Sequence, residues 1–390
     1  MKIKILQIIR GLDIGENSGG AEMFGIKLSQ KLNKFSDCEV WICAFFSYGT
    51  ELELEWQNKL NNEGINTQFL TKWGGYNNFF NFYRGLRNLM AFSSKQHFDV
   101  CNSHFQLGTL AAVILKTLNF SKTAYRTSHI RSEWNKGKMN WLLFPLFINR
   151  VFPKYLNGEI GVSESVFNYL RNRNSNKIDK SKIHLIYNGI DIDLFKKNEL
   201  KDPKREIIYD NNFKYTIGSI GRLTEQKGYR YLILAMKKVI SQLPNCSLQI
   251  VGDGELKNEL PRFANELGLT DNIQFLGVQN NIPELMSNWN AFILSSLWEG
   301  LPTVIMEAMA CEVPSIATDI PGTDELIIHE KTGLLVPIKD SEALGNSIIR
   351  LLKDKNLQDN LITNAKHRLN KFSMETIAKK YRDLYKTNLH

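Results

Sequence analysis

Two carboxylates lie eight positions apart in the segment SLWEGLPTVIMEAMA, residues 296–310, which is otherwise mostly apolar. Burying Glu299 or Glu307 would be costly unless hydrogen-bond donors reach the carboxylate. The preceding AFILSS is typical of a strand, and PTVIMEAMA is typical of a helix with Pro302 in its first turn. We therefore expect Glu299 in the connecting loop and Glu307 about two turns into the helix. Exposed, solvated positions for both glutamates are the alternative.

The start of this helix has the chemistry of an anion site. Free backbone N–H groups are expected from Gly300, Leu301 and Thr303, and the helix dipole places partial positive charge at the same end. Both features favour a phosphate group. Glu299 and Glu307 would then accept hydrogen bonds from hydroxyl groups on the two sides of a diphosphate. A nucleotide sugar has that layout, because a sugar and a ribose flank its two phosphates.

A second candidate stretch is GSIGRLTEQKG, residues 218–228, which leaves a strand and precedes a helix. Arg222 offers a planar fork of donors for phosphate oxygens, and Lys227 offers a compact charge. The stretch lacks the GxGxxG pattern, so it does not carry the dinucleotide fingerprint. Ordinary surface charges are the alternative for both residues.

Two further strand ends carry weaker signals. Gly252, in VGDGE, would let a base or ribose approach the backbone, whereas Asp253 is better explained as a turn residue. Gly277 and Val278 follow the next strand, where exposed backbone groups would read a nucleobase edge. An ordinary loop explains them equally well.

The first half of the chain offers a glycine pair and two histidines. Gly19 and Gly20 form a loop before an amphipathic helix, and their N–H groups would meet a second anion. His104 and His129 each end a strand-like run, a position that is more often structural than catalytic. His129 is the stronger candidate, because an arginine stands within three residues on each side of it.

The positive charge is concentrated in the first half. Residues 1–190 hold 24 Lys and Arg against 14 Asp and Glu, whereas residues 191–390 hold 25 against 26. This asymmetry indicates an anionic partner for the first half, with solubility alone as the alternative. Residues 122–154 interleave basic with aromatic and aliphatic side chains, which suits either a membrane surface or a core helix.

Composition places the chain among ordinary globular proteins, with 43% hydrophobic and 23% charged residues. The five cysteines are scattered without a CxxC pair, so we expect reduced core cysteines and no metal cluster. No stretch is apolar enough to span a membrane, and the first residues lack the features of a signal peptide. We therefore expect a cytoplasmic protein. Asp191 and Asp193 imitate a metal-binding DxD, but their place after a turn favours a hinge.

Thirteen strand-like runs alternate with helical patterns, which indicates parallel sheets covered on both faces. Thirteen strands are too many for one sheet, so an α/β protein with two Rossmann-like, doubly wound sheets is expected. The polar stretch 191–212 is the boundary, giving domains 1–192 and 193–372, with a helix over 373–390. The runs are 2–9, 38–45, 65–70, 98–104, 123–129, 157–163, 182–188, 214–221, 247–252, 272–277, 291–296, 313–318 and 333–337.

Five motifs in order resemble the retaining GT-B glycosyltransferases of family 4: SGGAE, IYNGID, GSIGRLTEQKG, VGDGE and the E-x7-E of the opening segment. The resemblance covers essentially the whole chain. It implies two Rossmann-like domains facing a cleft, with the last helix crossing back to the first domain. It also implies a nucleoside-diphosphate sugar as donor, with a UDP- or GDP-sugar as the expectation.

The resemblance assigns roles in the second domain. Glu299 would bind the sugar hydroxyl groups, and Glu307 would bind the ribose. Arg222 and Lys227 would bind the diphosphate, so that neither a metal nor another cofactor is needed. The sugar would keep its anomeric configuration on transfer.

In the first domain, the resemblance places Gly20 at the distal phosphate and His129 near the transferred sugar. Family members commonly have a second histidine where Asn102 stands, so no catalytic role is assigned to His104. We expect this basic domain to bind an acceptor glycan or glycolipid for surface polysaccharide synthesis. A lipid-linked acceptor would bring it to the inner face of the membrane, and no nucleic acid partner is expected.

Two other functions compete with transfer. A catalytically inactive nucleotide-sugar-binding regulator or partner subunit would bind the donor but would show no slow hydrolysis of it. An NAD-dependent oxidoreductase would share the Rossmann-like halves, but the chain lacks its glycine fingerprint.

Overall fold

The computed structural model describes residues 2–14, 19–74, 79–129, 150–173, 179–195 and 213–389. The chain divides into two compact units. Unit 1 comprises Met1–Gly189 and Met374–His390, and unit 2 comprises Ile190–Ser373.

Unit 1 is built on a seven-stranded parallel sheet in the order β3-β2-β1-β4-β5-β6-β7. Its strands are β1 Ile3–Ile9, β2 Cys38–Ser47, β3 Asn66–Lys72, β4 Phe98–Ser103, β5 Ser121–Ser128, β6 Gly158–Gly161 and β7 Ile183–Leu185. The helices between them are α1 Gly20–Asn33, α2 Glu51–Asn62, α3 Phe79–Gln96, α4 Gln106–Thr117 and α5 Glu164–Arg171. Strands β1 and β2 are mostly apolar, as expected where helices cover both faces of a sheet.

Unit 2 is built on a six-stranded parallel sheet in the order β10-β9-β8-β11-β12-β13. Its strands are β8 Tyr215–Ile220, β9 Cys246–Val251, β10 Ile273–Gly277, β11 Ala291–Leu294, β12 Ser315–Thr318 and β13 Leu334–Val336. Its helices are α6 Tyr229–Gln242, α7 Glu259–Glu266, α8 Ile282–Ser287, α9 Thr303–Ala310, α10 Ser341–Lys353 and α11 Lys355–Leu369. The two Rossmann-like sheets confirm the predicted fold class.

The last helix, α12 Met374–Thr387, belongs to unit 1. Tyr381 and Tyr385 are fully buried against the sheet, in a core cluster that also contains Ile5 of β1. At its solvent side, Arg382 donates to Asp37, with Nη2 2.6 Å from Oδ2. The side chains of Arg382 and Lys386 lower the pKa of Asp37.

Alternation along β1 sends successive side chains to opposite faces of the sheet. Leu6 and Ile8 enter the core cluster that includes Leu89 of α3 and Ala111 of α4. Ile5 enters the cluster formed with α1 and α12. Gln7, the buried polar residue of this strand, points to the α12 face.

Two helix starts differ from the sequence expectation. The pattern over 255–267 predicts one helix, but α7 begins only at Glu259. Pro261 explains this, because a proline lacks the N–H that a helix interior needs and fits only in the first turn. The helix after Glu299 begins at Thr303, with Pro302 as the residue before it in an extended conformation, φ −75° and ψ 100°.

Within the described residues, no helix combines the length and apolar character required to cross a bilayer.

Candidate functional site

The loops that follow β8, β9 and β10 lie side by side at the carboxyl edge of the unit 2 sheet. Gly221 N donates to Val251 O at 3.0 Å, and Gly252 N donates to Gly277 O at 2.8 Å. Leu223 N donates to the backbone oxygen that follows β9, at Asp253 O, over 2.9 Å. In an open α/β sheet this edge is where ligands bind.

Glu299 lies in the loop after β11 and is 7% exposed. Its Oε1 accepts hydrogen bonds from Lys227 Nζ and from Ser296 Oγ, each at 2.6 Å. The burial of Glu299 is therefore satisfied within the protein and does not require a ligand. Both hydrogen bonds that the structure describes for this carboxylate fall on Oε1, which leaves Oε2 as a further hydrogen-bond acceptor.

Lys227 is held in place by the backbone on both sides of the ion pair. Ser295 Oγ donates to Lys227 O at 2.9 Å, and Leu297 N donates to Gln226 O at 2.7 Å. Gly228, which follows, has φ +62°, and a Cβ there would lie 2.2 Å from Ser295 O. The close approach of these two loops therefore requires glycine at position 228.

Arg222 is exposed on the β8–α6 loop. Its guanidinium makes no hydrogen bond or ion pair to any residue that the structure describes. The five donors of the side chain are thus available to a phosphate.

The start of α9 presents backbone donors at the same edge. The N–H groups of Gly300, Leu301 and Thr303 donate no hydrogen bond to the described residues. The closely packed turn at Gly322 supports this loop, since a Cβ there would lie 2.4 Å from Gly300 O. These donors and the helix dipole have the arrangement that favours an anion, and the anion site itself stays a prediction.

Glu307 lies one turn into α9, four residues after its first residue, and not two turns in as expected. Four residues are about one turn at 3.6 residues per turn, and a start at Thr303 instead of Pro302 changes this distance by only one residue. The side chain of Glu307 is partly buried, and burial raises its pKa to about 7, against a hydrogen bond with the Thr303 side chain that lowers it. Near neutral pH this carboxyl group is therefore divided between its acid and its carboxylate form.

The residues that follow β9 and β10 differ in their contacts and in their exposure to solvent. Gly252 has φ +138°, and a Cβ there would lie 2.0 Å from Gly221 O, so packing of the turn explains this glycine. Asp253 accepts from Gly254 N at 2.6 Å and from Lys257 Nζ at 2.7 Å, as a turn residue would. Gly277 and the 72%-exposed Val278 border open space.

In unit 1 the glycine pair starts α1. Gly19 N donates to Glu22 Oε2 at 3.0 Å, so this N–H already has a partner within the protein. A Cβ on Gly20 would meet nothing within 4 Å. Residues 15–18, which complete the predicted loop, lie outside the described residues.

His129 follows β5 and contacts His104, with His129 Nε2 3.3 Å from His104 Nδ1. The ring of Phe24 packs edge-on at a centroid distance of 5.4 Å. Burial lowers the pKa of His129 to about 4, while a hydrogen bond with Asn188 acts in the opposite direction. His129 is therefore neutral at pH 7. Of its two flanking arginines, Arg126 is buried beside Glu159 of β6, and Arg131 lies outside the described residues.

Sequence reasoning missed two residues near these sites. Ser296 holds Glu299, and Gln7 contacts His104, the weaker of the two candidate histidines, which in turn contacts His129. For Gln7 a signal was present, since it is an uncharged polar residue within the mostly apolar strand IKILQII. Ser296 offered no such signal, because serine is common after strands.

The chain matches two family models that together span most of its length. Residues 18–194 match Glycosyltransferase Family 4, and residues 201–368 match Glycosyl transferases group 1. The chain belongs to glycosyltransferase family 4. The segment that matches Glycosyl transferases group 1, residues 201–368, contains the Lys227–Glu299 ion pair, the exposed Arg222 and the start of α9.

Three relatives illustrate the likeness. The UDP-Gal:alpha-D-GlcNAc-diphosphoundecaprenol alpha-1,3-galactosyltransferase of Escherichia coli is 34% identical over 53% of this chain and 55% of that protein. The capsular polysaccharide biosynthesis glycosyltransferase CapM of Staphylococcus aureus is 27% identical over 73% of this chain and 74% of that protein. The structure of Anabaena HepE with UDP and glucose has a TM-score of 0.79 at 20% identity, covering 99% of this chain and 100% of that one.

These likenesses differ in what they establish for this family member. The chain aligns with only a little over half the length of the first curated relatives. The likeness to HepE, at 20% identity, shows a shared fold.

Proposed function

We propose that this protein is a glycosyltransferase that moves a sugar from a nucleoside-diphosphate sugar to an acceptor hydroxyl group. One observation carries the proposal: Lys227 and Glu299 form a buried ion pair beside the free N–H groups at the start of α9. Such a site offers positive charge to a diphosphate and an acceptor oxygen to a sugar. The two family models that match the chain support the same activity.

The proposed chemistry is stabilisation of the departing diphosphate. Negative charge grows on this group as the bond to the sugar breaks, and fixed donors around it lower the barrier. Lys227, Arg222 and the α9 N–H groups would supply the charge and the donors, so we propose a reaction that needs no metal ion. Oε2 of Glu299 would accept a hydrogen bond from a sugar hydroxyl, and the carboxylate form of Glu307 would accept from the ribose.

We further propose that the sugar keeps its anomeric configuration. Among the described residues of the site we identify no covalent nucleophile, since the Glu299 carboxylate is held by Lys227 and Ser296. Departure and attack on the same face, with the leaving phosphate taking the acceptor proton, fits such a site. The configuration of the product, read by NMR of its anomeric proton, tests this: inversion would refute it.

A UDP-sugar is the first donor to test. The Escherichia coli relative is named for UDP-Gal, and HepE was crystallised with UDP and with UDP-glucose. A thermal-shift panel of UDP-, GDP- and ADP-sugars should show stabilisation by one base only. A ligand at a hundred times its Kd adds about 2.7 kcal/mol to the free energy of unfolding.

The same panel, extended in time, separates an enzyme from an inactive binder. We expect slow release of the nucleoside diphosphate from the stabilising donor, faster in the presence of acceptor lipids extracted from bacterial membranes. Stabilisation without any release would favour a nucleotide-sugar-binding regulator. Absence of stabilisation by every nucleotide sugar would refute the proposal.

For the acceptor we propose a lipid-linked glycan at an anionic membrane surface, bound by unit 1. The name of the Escherichia coli relative includes a diphosphoundecaprenol-linked sugar, which supports this class of acceptor. Much of the basic and aromatic stretch 122–154 lies outside the described residues, but α3 provides a described surface of the same kind. It carries no acidic residue.

One stripe of α3 presents aromatic and basic side chains at helical spacing. Phe80 is 86% exposed and Tyr83 is 63% exposed, and Arg84 and Arg87 are exposed beside them. Neither arginine makes an ion pair with a described residue. Exposed aromatic rings with unpaired cations fit the interface of an anionic bilayer.

Vesicle flotation tests this surface. We expect the protein to float with phosphatidylglycerol vesicles but not with phosphatidylcholine, and the double substitution Arg84→Gln with Arg87→Gln to weaken flotation more than ten-fold. Phe80→Ser should weaken it as well. Tyr155→Ser, which alters a 48%-exposed tyrosine elsewhere in unit 1, is the matched control and should float normally. Equal flotation with both lipids would refute the proposed surface.

A further inference from the structure

Buried hydroxyl groups anchor the loop that carries Glu299. Ser296 lies in that loop, Thr318 ends the neighbouring strand β12, and Thr323 lies in the turn after it. Each of the three is at most 3% exposed, and each is hydrogen-bonded. Polar groups at such depth are costly unless they have partners, and a fully bonded network fixes the orientation of its members.

The direction of each hydrogen bond is set by what its acceptor can do. Ser296 Oγ donates to Glu299 Oε1 at 2.6 Å, because a carboxylate oxygen only accepts. Thr318 Oγ1 donates to Ser296 O at 2.5 Å, and Thr323 Oγ1 donates to Thr318 O. A line of three hydroxyl groups therefore runs from the turn after β12 to the carboxylate.

The register of the sheet brings Thr318 to this loop. Strands β11 and β12 are parallel neighbours, and Leu294 pairs with Ala317 at their carboxyl ends. Thr318 is the next residue of β12, and Ser296 lies two residues beyond β11. The contact between the Thr318 hydroxyl and the Ser296 carbonyl thus continues the pairing of the two strands into the loop.

The two donors on Glu299 differ in how well they direct it. Lys227 Nζ and Ser296 Oγ each lie 2.6 Å from Oε1, and no described residue donates to Oε2. An ammonium group is a compact charge on a flexible stem, so Lys227 can follow either oxygen of the carboxylate. Ser296 is short and its backbone is held by Thr318, so it determines that Oε1 turns inward and Oε2 remains for a ligand.

We propose that Ser296 and Thr318 are positioning residues that direct Oε2 of Glu299 toward the transferred sugar, and that they control recognition of the sugar but not of the nucleoside diphosphate. The inference rests on the proposed function, in which Glu299 meets a sugar hydroxyl. The diphosphate would meet Lys227, Arg222 and the α9 N–H groups, whose positions do not require these two hydroxyl groups.

Calorimetric titration with UDP and with UDP-glucose separates the two kinds of recognition. Ser296→Ala keeps Lys227, so UDP should bind within about two-fold of its native affinity, whereas UDP-glucose should bind about ten-fold more weakly. GDP and GDP-mannose replace these probes if the thermal-shift panel selects guanine. Equal weakening of the nucleotide and the nucleotide sugar would overturn the proposal, because it would show a general distortion of the site.

Thr318→Val tests the residue that touches neither Glu299 nor a ligand. Valine has nearly the same volume but no hydroxyl, so Ser296 O loses its donor and the affinity for UDP-glucose should fall about three-fold. Thr318→Ser keeps the hydroxyl and should bind UDP-glucose as the native protein does. Equal losses in the two variants would exclude a role for the hydroxyl.

Ser315→Ala is the matched control on the same strand. Ser315 is 1% exposed and donates to Val313 O at the other end of β12. This variant should bind UDP and UDP-glucose normally. A loss of UDP-glucose affinity as large as that of Thr318→Val would show that any buried hydroxyl of β12 has this effect, and would refute the inference.

The Glu299→Ala background shows whether the hydroxyl groups act through the carboxylate. There, neither Ser296→Ala nor Thr318→Val should weaken UDP-glucose binding further, because the group that they position is gone. A further loss as large as in the native background would exclude positioning.

Melting temperatures give a readout without ligand. The loss of Tm in the double variant Ser296→Ala with Glu299→Ala should be smaller than the sum of the single losses, since the two residues share one hydrogen bond. Additive losses would contradict the placement of Glu299 by Ser296. Coupled losses in a protein that no nucleotide sugar stabilises would uphold this placement while the proposed function fails.

Discussion

The Lys227–Glu299 ion pair allows a quantitative test of the unit 2 site. Glu299→Gln keeps an oxygen that can accept from Ser296 but removes the charge opposite Lys227. Breaking a fully buried pair costs about 3–5 kcal/mol, because one charge is left without a partner. Here the side chains are 16% and 9% exposed, so water can partly solvate the ammonium, and we expect a loss of about 2 kcal/mol. For a domain of this size the loss lowers Tm by about 4–8 °C.

The double substitution Glu299→Gln with Lys227→Met supplies the decisive comparison. It removes both charges and leaves no buried ammonium, so it should be more stable than Glu299→Gln alone. Glu259→Gln is the matched control, because its partner Arg230 is 48% exposed and surface pairs contribute little. Calorimetry of the native protein, Glu299→Gln, Lys227→Met and the double variant measures the coupling, with Glu259→Gln measured beside them.

Ligand binding separates the two roles of the pair. UDP should still raise the Tm of Glu299→Gln, because the ammonium of Lys227 remains to meet the diphosphate. It should raise the Tm of the double variant much less. If the destabilisations of the single variants simply add in the double variant, the two residues are not coupled and the reasoning fails.

Three other changes test other parts of the site. Arg222→Ala should lower kcat more than it raises the acceptor KM, and unchanged turnover in steady-state kinetics would count against a role for Arg222 at the diphosphate. Because the folded-state pKa of Glu307 is raised from 4.5 to about 7, the folded protein binds more protons between these values, and the free energy of unfolding should fall as pH rises through this window. Glu307→Gln should flatten that fall in urea titrations at several pH values; an unaltered slope would contradict it. Gly228→Ala should lower Tm more than Gly268→Ala. Both glycines have positive φ, but only a Cβ at position 228 meets Ser295 O. Equal losses of Tm would show that this loop contact does not affect stability.

The sheets could be predicted closely because parallel strands covered on both faces must be apolar along most of their length. Each of the thirteen runs, from Ile3–Ile9 to Leu334–Val336, became a strand. The first residue of a helix was harder to predict, because a single proline can change where the helix begins. Pro261 shortened α7, and Pro302 stayed outside α9, which moved the helix start one residue closer to Glu307.

The site contacts depend on strand order, which the periodicity of a sequence does not reveal. Lys227 and Glu299 are 72 residues apart and meet because β8 and β11 are neighbours in the sheet. Gln7 and His104 meet because β1 lies beside β4. Sequence reasoning therefore found Lys227 and Glu299 but not that they pair with each other or that Ser296 holds Glu299.

The packing of α12 on unit 1 has a consequence for synthesis of the chain. Tyr381 and Tyr385 are fully buried in that unit, yet they are translated only after the whole of unit 2. On the ribosome, the unit 1 sheet must wait with the α12 share of one face uncovered, beside α1, while unit 2 is made. Unit 1 is thus begun before unit 2 and completed after it, and a messenger truncated after Ser373 would yield a protein in which unit 1 cannot close its core.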